Sequence, residues 1–529
     1  MPKLTINGQE VELPAGTNLI EAAKAIGAEI PHFCYHPGLS VAGNCRMCLV
    51  EIEKAPKLQI ACNTTVGEGM VVLTDSDKVK KARAGVMEFL LLNHPIDCPI
   101  CDCAGECYLQ DYYMDHDLKA SRLEEPKNKK EKAQDIGPHV MLDKERCVLC
   151  SRCVRFTDEV SKTHELGIFG RGSTEEIGLA PGMKLDNAYS GCVVDLCPVG
   201  ALTDKEFRFK SRPWFLKETE TVCAGCSLGC NIVLNTNTNP YNKVGQDRAY
   251  RMFPRENRQV NDWWMCDEGR YTYQGIDKGR KLSASMKGQT VTLDYALAQA
   301  VLELKPLLEA GADKIAFLLS PQLTNESLFA WKWLASTLGV SQVEAGDDLK
   351  ATGASDGYLI QADKNPNSRG AADLRLGLRE GVLGGKAMLA AAKAGLYTAI
   401  VVVGPDLGDS LCAELAAKAK LIGLHTHAHS ADRHYAYDFA LAHYAEQEGS
   451  FTNVKGRVQR VRKALAPLGE SQPAWTYAFY LAEALGKTAP ATDAAGLFKL
   501  LAAETPGYTG LTLEGLGSQG ASSAAEAKV

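Results

Sequence analysis

Cysteine placement constrains this chain more than any other feature. Of its 18 cysteines, 17 precede residue 270, in tight groups built on C-x2-C. In a secreted chain such a pattern would mark a disulfide framework. Here the N-terminus, MPKLTINGQEVEL, is polar and strand-like, without the apolar stretch of an export signal. The expectation is therefore a reducing interior, where thiols at this spacing serve as metal ligands. No run approaches the roughly 18–20 apolar positions a spanning helix needs, so membrane attachment would come through a partner. The net charge of −6 argues against nucleic acid, which calls for a basic surface. At roughly 100–200 residues per domain, 529 residues should form about three to five domains.

Four ligand sets follow one another. The first is Cys34, Cys45, Cys48 and Cys62, spaced C-x10-C-x2-C-x13-C. Around it, KLTINGQEVEL reads as a hairpin turning at Asn7-Gly8. NLIEAAKAIG reads as a helix capped by Thr17 or Asn18, and MCLVEIE as a returning strand. This small domain resembles a plant-type ferredoxin with a lengthened first gap, which implies a [2Fe–2S] cluster. Gly38 and Gly43 suit a backbone bending around it.

The second set lies in HPIDCPICDCAGEC, residues 94–107. An amphipathic helix, with Val86, Phe89, Leu90 and Leu92 available to a core, should run into His94 and stop at Pro95. Two ligand choices are open. One is Cys98, Cys101, Cys103 and Cys107; the other is His94 with Cys98, Cys101 and Cys107. Imidazole can replace thiolate on iron. The spacing favours His94, because Cys103 is only two positions from Cys101 and poorly placed for a different iron. H-x3-C-x2-C-x5-C after a ferredoxin domain resembles the cluster-bearing large subunit of respiratory complex I, NADH:quinone oxidoreductase, and related hydrogenase and formate dehydrogenase subunits. That resemblance implies His94 as a ligand, and a residue other than cysteine at position 103.

The third set is Cys147, Cys150 and Cys153, completed by Cys197 in a C-P-x-G turn. Thr157 stands where a two-cluster ferredoxin has its next cysteine, so one [4Fe–4S] cluster is expected. Cys192 competes for the fourth place and reads as a small buried apolar residue. Arg152 and Arg155 would either stabilise an anionic cluster or be solvated. The fourth set, Cys223, Cys226, Cys230 and Cys266, resembles the iron–sulfur domain that opens the molybdopterin oxidoreductases. Zinc is the competing metal, most strongly at this fourth set.

After residue 273 only Cys412 remains. ADKIAFLLS and TAIVVVG alternate with helical stretches such as ALAQAVLELKPLLEA and NESLFAWKWLASTLG, the pattern of a parallel α/β sheet. NPNSRGAADLRLGL and EQEGSFTNVKGRVQ resemble molybdopterin-oxidoreductase segments. The C-terminus, GSQGASSAAEAKV, reads as a disordered tail, and a molybdenum cofactor is not expected. His425, His427 and His429 read as a surface loop, and the charged run 124–135 as a solvated linker.

The expected architecture is multidomain α+β and α/β. It comprises a β-grasp [2Fe–2S] ferredoxin domain (1–78), a His/Cys3 [4Fe–4S] module (79–120) and a ferredoxin-like [4Fe–4S] module (121–217). A [4Fe–4S] domain of molybdopterin-oxidoreductase type (218–273) and a truncated α/β domain (274–529) follow. Neither a G-x-G-x-x-G after a strand nor a P-loop is found, so no nicotinamide or flavin site is expected. The complex I resemblance implies an electron-transfer subunit with no substrate site of its own. It implies a flavin-containing NADH-oxidising partner, other peripheral-arm subunits, quinone as final acceptor, and a peripheral place on the cytoplasmic side of the inner membrane. The rival reading is an iron–sulfur/molybdopterin subunit of an NAD-linked formate dehydrogenase or a hydrogenase.

Overall fold

The computed structural model describes residues 1–237, 247–346, 349, 351–376 and 383–523. By its internal contacts the chain divides into two units, Met1–Leu216 and Lys217–Val529.

The first unit opens with the expected hairpin. Strands Lys3–Ile6 and Gln9–Glu12 pair antiparallel around Asn7 and Gly8, which both take positive φ (50° and 83°), as a tight two-residue hairpin turn requires. Lys3–Ile6 also runs parallel to Val71–Leu73, and Leu49–Ile52 and Gln59–Ile60 complete a five-stranded sheet. The helix Leu19–Ala25 packs Leu19, Ile20, Ala22 and Ala23 onto Leu4, Ile6, Val50 and Val72. Asn18 is its cap, accepting from the Glu21 amide at 3.0 Å.

Two expectations for the next segment need correction. The helix spans Asp77–Leu91 and ends before His94, not at it. Phe89 is 78% exposed, while Val86 and Leu90 pack inward. The run 124–135 is exposed at most positions, as a solvated linker would be, but it is not a free one. Lys127 donates to the carbonyls of Leu91 and Leu92 at 2.8 and 2.9 Å. Lys130 donates to the carbonyl of Glu175, and Lys132 bridges Asp97, Asp143 and Glu145. Charge composition marks such a run as polar, but fixed carbonyls and carboxylates have taken up its ammonium groups.

The second unit begins with an antiparallel sheet, Leu216–Val222, Asn231–Asn237 and Ala249–Pro254. Beyond it stands a seven-stranded sheet ordered Gln289–Thr290, Ser285–Met286, Tyr437–Ala440, Lys420–His425, Ala399–Val403, Ile315–Leu319, Gln342–Glu344. The last five run parallel. The runs IAFLL and AIVVV are buried throughout, as strands covered on both faces must be. Alternation sorts their side chains. Ile315, Phe317 and Leu319 join Trp331 and Leu334 of the helix Asn325–Leu338. Ala316 and Leu318 face Met388, Cys412 and Leu415 on the other side.

The two segments resembling molybdopterin oxidoreductases meet: the Thr452 amide donates to Asn367 Oδ1 at 2.7 Å. The supposed tail is partly ordered. Ala521–Ser522 pairs with Arg457 and Val458 as a third strand beside Gly449–Thr452 and Arg457–Val461; residues 524–529 lie outside the described residues. A correction also applies to HTHAH. His425 ends a central strand and is 1% exposed, so it is no surface loop. Among the described residues, no helix is long and apolar enough to cross a membrane.

Candidate metal centres

The first set converges. Cys34 hydrogen-bonds to the thiols of Cys45 and Cys62, and Cys48 to that of Cys62. Hydrogen bonds from Cys45 and Cys62 hold the Cys34 thiol well below its ordinary value, and the proton each lends raises theirs. Cys48 is lowered to about 7 by its bond with Cys62. Backbone amides also aim at these sulfurs, those of Asn44 and Cys45 at Cys34 among them. Gly43 and Arg46 adopt positive φ on either side of Cys45, wrapping the loop around the thiols.

At the second set, Cys101 and Cys107 are buried and Cys98 is exposed. Cys101 lies within electrostatic reach of both. The Cys103 thiol bonds with Cys107 and lowers it to about 7. His94 lines a cavity of about 180 Å³ with Asn93, Asn128 and Cys147. Among the described residues, no hydrogen bond joins its ring to Cys98, Cys101 or Cys107. Burial first, then Lys127 and Arg146, lowers His94 to about 4. The imidazole is therefore neutral, the form that binds metal. A salt-bridge network of Asp97, Lys132, Asp143 and Arg146 stands beside the loop. Arg212 clamps it by donating to the carbonyl of Pro99 at 2.7 Å.

The third set shares one cavity. Cys147, Cys150, Cys153 and Cys197 line one cavity walled by Leu142, Ile177, Val199 and Leu202. Cys192 does not line it and sits fully buried in the short helix Cys192–Leu196. Leu149 and Ser151 both take positive φ, unusual for residues with side chains, and the Leu149 amide donates to Cys147 Sγ at 3.3 Å. Burial and neighbouring thiols push Cys147 and Cys197 up to about 12 and raise Cys153 well above its ordinary value.

The fourth set belongs to the second unit. Cys223 and Cys230 face each other across a backbone bond, Cys223 amide to Cys230 carbonyl at 2.9 Å. Cys266 caps the helix Asp267–Arg270, its sulfur accepting from the Gly269 amide at 3.3 Å. A Cβ on Gly269 would lie 3.1 Å from Cys223 Sγ and 3.4 Å from Cys266 Sγ. Burial, then Cys226, raises Cys266 to about 11.

These residues fit iron–sulfur clusters. In the third and fourth sets the buried thiols raise one another and cannot all ionise without a cation, which bound iron would supply. The available donors are sulfurs, with the His94 imidazole beside the second set, and amides point at several of the sulfurs. By contrast, His425, Asp432 and Asp438 form a cluster whose cation is already internal. Lys281 Nζ lies 3.0 Å from Asp432 and 2.9 Å from Asp438. Burial works to lower His425, but its 2.8 Å contact with Asp438 holds it above its ordinary value.

Comparison with known families agrees with this arrangement. A 2Fe-2S iron-sulfur cluster binding domain matches residues 2–77, and an NADH-ubiquinone oxidoreductase-G iron-sulfur binding region matches 83–122. The ferredoxin-like domain of NADH-quinone oxidoreductase subunit 3 matches 137–203. The NADH-quinone oxidoreductase G subunit of Rickettsia bellii is 39% identical over 346 residues, 64% of this chain and 49% of that protein. The mitochondrial NADH-ubiquinone oxidoreductase 78 kDa subunit of Neurospora crassa is 42% identical over 344 residues, 64% of this chain and 45% of that protein. Over about 64% of its length the chain is similar to the G or 78 kDa subunit of NADH-quinone oxidoreductase. It spans about half the length of the curated relatives it matches. An NAD+-reducing [NiFe]-hydrogenase crystal structure in the H2-reduced state aligns at 30% identity over 40% of this chain and 90% of its own, with a TM-score of 0.36; no argument rests on it.

The three matched windows enclose the first three ligand sets of this chain, and the fourth lies beyond them. Sequence reasoning missed Gly200. A Cβ there would lie 2.3 Å from Cys101 Sγ, so the C-P-x-G turn of the third set supports the second. The glycine of that motif was the available signal.

Proposed function

We propose that this chain is an electron-transfer subunit of NADH:quinone oxidoreductase. In this reading Cys34, Cys45, Cys48 and Cys62 hold a [2Fe–2S] cluster. His94, Cys98, Cys101 and Cys107 hold a [4Fe–4S] cluster. Cys147, Cys150, Cys153 and Cys197 hold a third cluster, and Cys223, Cys226, Cys230 and Cys266 a fourth, both [4Fe–4S]. Each cluster, when bound, accepts and passes on one electron. The chain's own residues fix ligand type, bury most of the sulfurs and aim amides at several of them.

One observation carries the reading. Cys34, Cys107 and Cys150, one from each of the first three sets, belong to a single apolar core with Phe33, Met87 and Val199, and Cys45, Cys147 and Cys197 pack against it. Sites packed on one apolar core would exchange electrons through protein rather than through solvent. The partner in this reading is a flavin-containing NADH-oxidising subunit, with quinone reached through further complex I subunits. The chain would then sit peripherally on the cytoplasmic side of the inner membrane. The test is to mix the iron-loaded chain with that flavoprotein under anaerobic conditions and add NADH. Bleaching of cluster absorbance that requires the flavoprotein supports the assignment. Bleaching by dithionite but not by NADH plus flavoprotein would overturn it.

A further inference from the structure

Two arginines of the helix Arg152–Glu159 stand where the first three sites meet. Arg152 is 5% exposed. Its Nη2 donates to the carbonyl of Tyr35, next to Cys34, at 2.5 Å. Its Nη1 donates to the carbonyl of Leu196, next to Cys197, at 3.1 Å. Its guanidinium carbon lies 5.8 Å from the ring centroid of Tyr108, next to Cys107. One side chain therefore touches a neighbour of a predicted ligand in each of three sites.

Arg155 repeats this between two of them. Its Nη2 donates to the carbonyl of Cys34, and to that of Cys150 at 3.4 Å. Its Nη1 donates to the Ser40 carbonyl and its Nε to Ser151 Oγ at 3.2 Å. Among the described residues, neither guanidinium has a carboxylate within 4.0 Å. Glu159 acts on Arg155 only through space, its carboxylate being taken up by the amide and hydroxyl of Ser40. The Arg152 Nε has no hydrogen-bond partner. Buried cations without a paired anion are costly. Besides Glu159, the groups in electrostatic reach that a bound cluster would make negative are the sulfurs of Cys34 and Cys150.

We infer that Arg152 and Arg155 are positioning residues for electron transfer: their charge favours the reduced sites, and their carbonyl clamps fix the spacing of the first and third sites. This rests on the assignment of clusters to those cysteines. An added electron makes a site more negative, and no bond or proton need change. A nearby fixed cation therefore raises its potential. Removing the Arg155 charge should shift the reduction equilibrium of the first and third sites about tenfold toward oxidised, about 59 mV for a one-electron couple. The second site should move far less.

The experiment uses the full chain, anaerobically purified, as wild type, Arg155→Gln, Arg155→Lys, Arg152→Gln and Arg152→Lys. Iron and sulfide content, redox titration and electron paramagnetic resonance are read on each. The expected result is full iron with lowered potentials in Arg155→Gln, and potentials largely restored in Arg155→Lys. Arg152→Gln should move all three sites and weaken the magnetic interaction between the first and third. Full iron with potentials unchanged within twofold in the equilibrium would overturn the inference and leave the relay assignment standing. Wild-type protein lacking iron at these sets would overturn the relay assignment itself. If Arg152→Gln does not fold, the two Arg155 variants decide.

Discussion

Gly200→Ala tests the interlock of the second and third sites. A Cβ there would lie 2.3 Å from Cys101 Sγ and 3.1 Å from Cys103 Cβ. Non-bonded heavy atoms rest about 3.5–4.0 Å apart, so the sulfur must retreat by about 1.2 Å or more. A functional constellation tolerates about 0.5 Å. The second cluster should therefore fail to assemble, at an overpacking cost of about 1–3 kcal/mol. Iron should fall from about 14 to about 10 atoms per chain, with the two-iron signal retained. The matched control is Gly85→Ala, inside the helix Asp77–Leu91, where nothing lies within 4 Å of an added Cβ. It should keep all iron and stabilise by about 0.5–1 kcal/mol. The assays are colorimetric iron and sulfide, cluster spectra and thermal unfolding. Full iron and an unchanged Tm in Gly200→Ala would refute the reasoning.

His94→Cys should retain four irons at the second site but change its spectrum and lower its potential, because thiolate adds negative charge; an unchanged spectrum and potential would remove His94 from the ligand set. Cys197→Ala should lose the third cluster, whereas Cys192→Ala should keep its iron and cost less than about 2 kcal/mol; iron analysis separates them. Glu326 is fully buried, its carboxyl held by the Ser450 amide and hydroxyl at 2.8 Å, and burial raises it from 4.5 to about 7. Between those values the folded state binds more protons than the unfolded one, so stability is greatest below about 4.5 and declines up to about pH 7. The decline should be on the order of 3 kcal/mol and absent in Glu326→Gln; pH-dependent urea unfolding that is flat in wild type would contradict this.

Much of the architecture could be read from local rules. Asn7-Gly8 set the hairpin turn, Asn18 set the helix cap, and the apolar runs 315–319 and 399–403 set the parallel sheet. Cysteine spacing was enough to foresee that Cys147, Cys150, Cys153 and Cys197 meet, since a short loop with a distant C-P-x-G closure has few ways to fold. What escaped was set by distant partners. Lys127, Lys130 and Lys132 are fixed by carbonyls and carboxylates that no local pattern reveals. His425 is buried because a strand carries it to Asp438, thirteen residues on. Arg152 had two open readings in the sequence; the loops folding against it bury it, which excludes the solvated one. Ala521 and Ser522 gain their strand from Arg457 and Val458, more than sixty positions earlier.

The central claim is that sixteen residues hold four clusters. Iron, acid-labile sulfide, zinc and molybdenum counted per chain in the anaerobically purified protein test it most directly. One two-iron and three four-iron clusters predict about 14 iron atoms, matching sulfide, and neither zinc nor molybdenum. Stoichiometric zinc in place of iron would make the thiols structural, and stoichiometric molybdenum would make the chain a catalyst at its own metal; either result would contradict the relay.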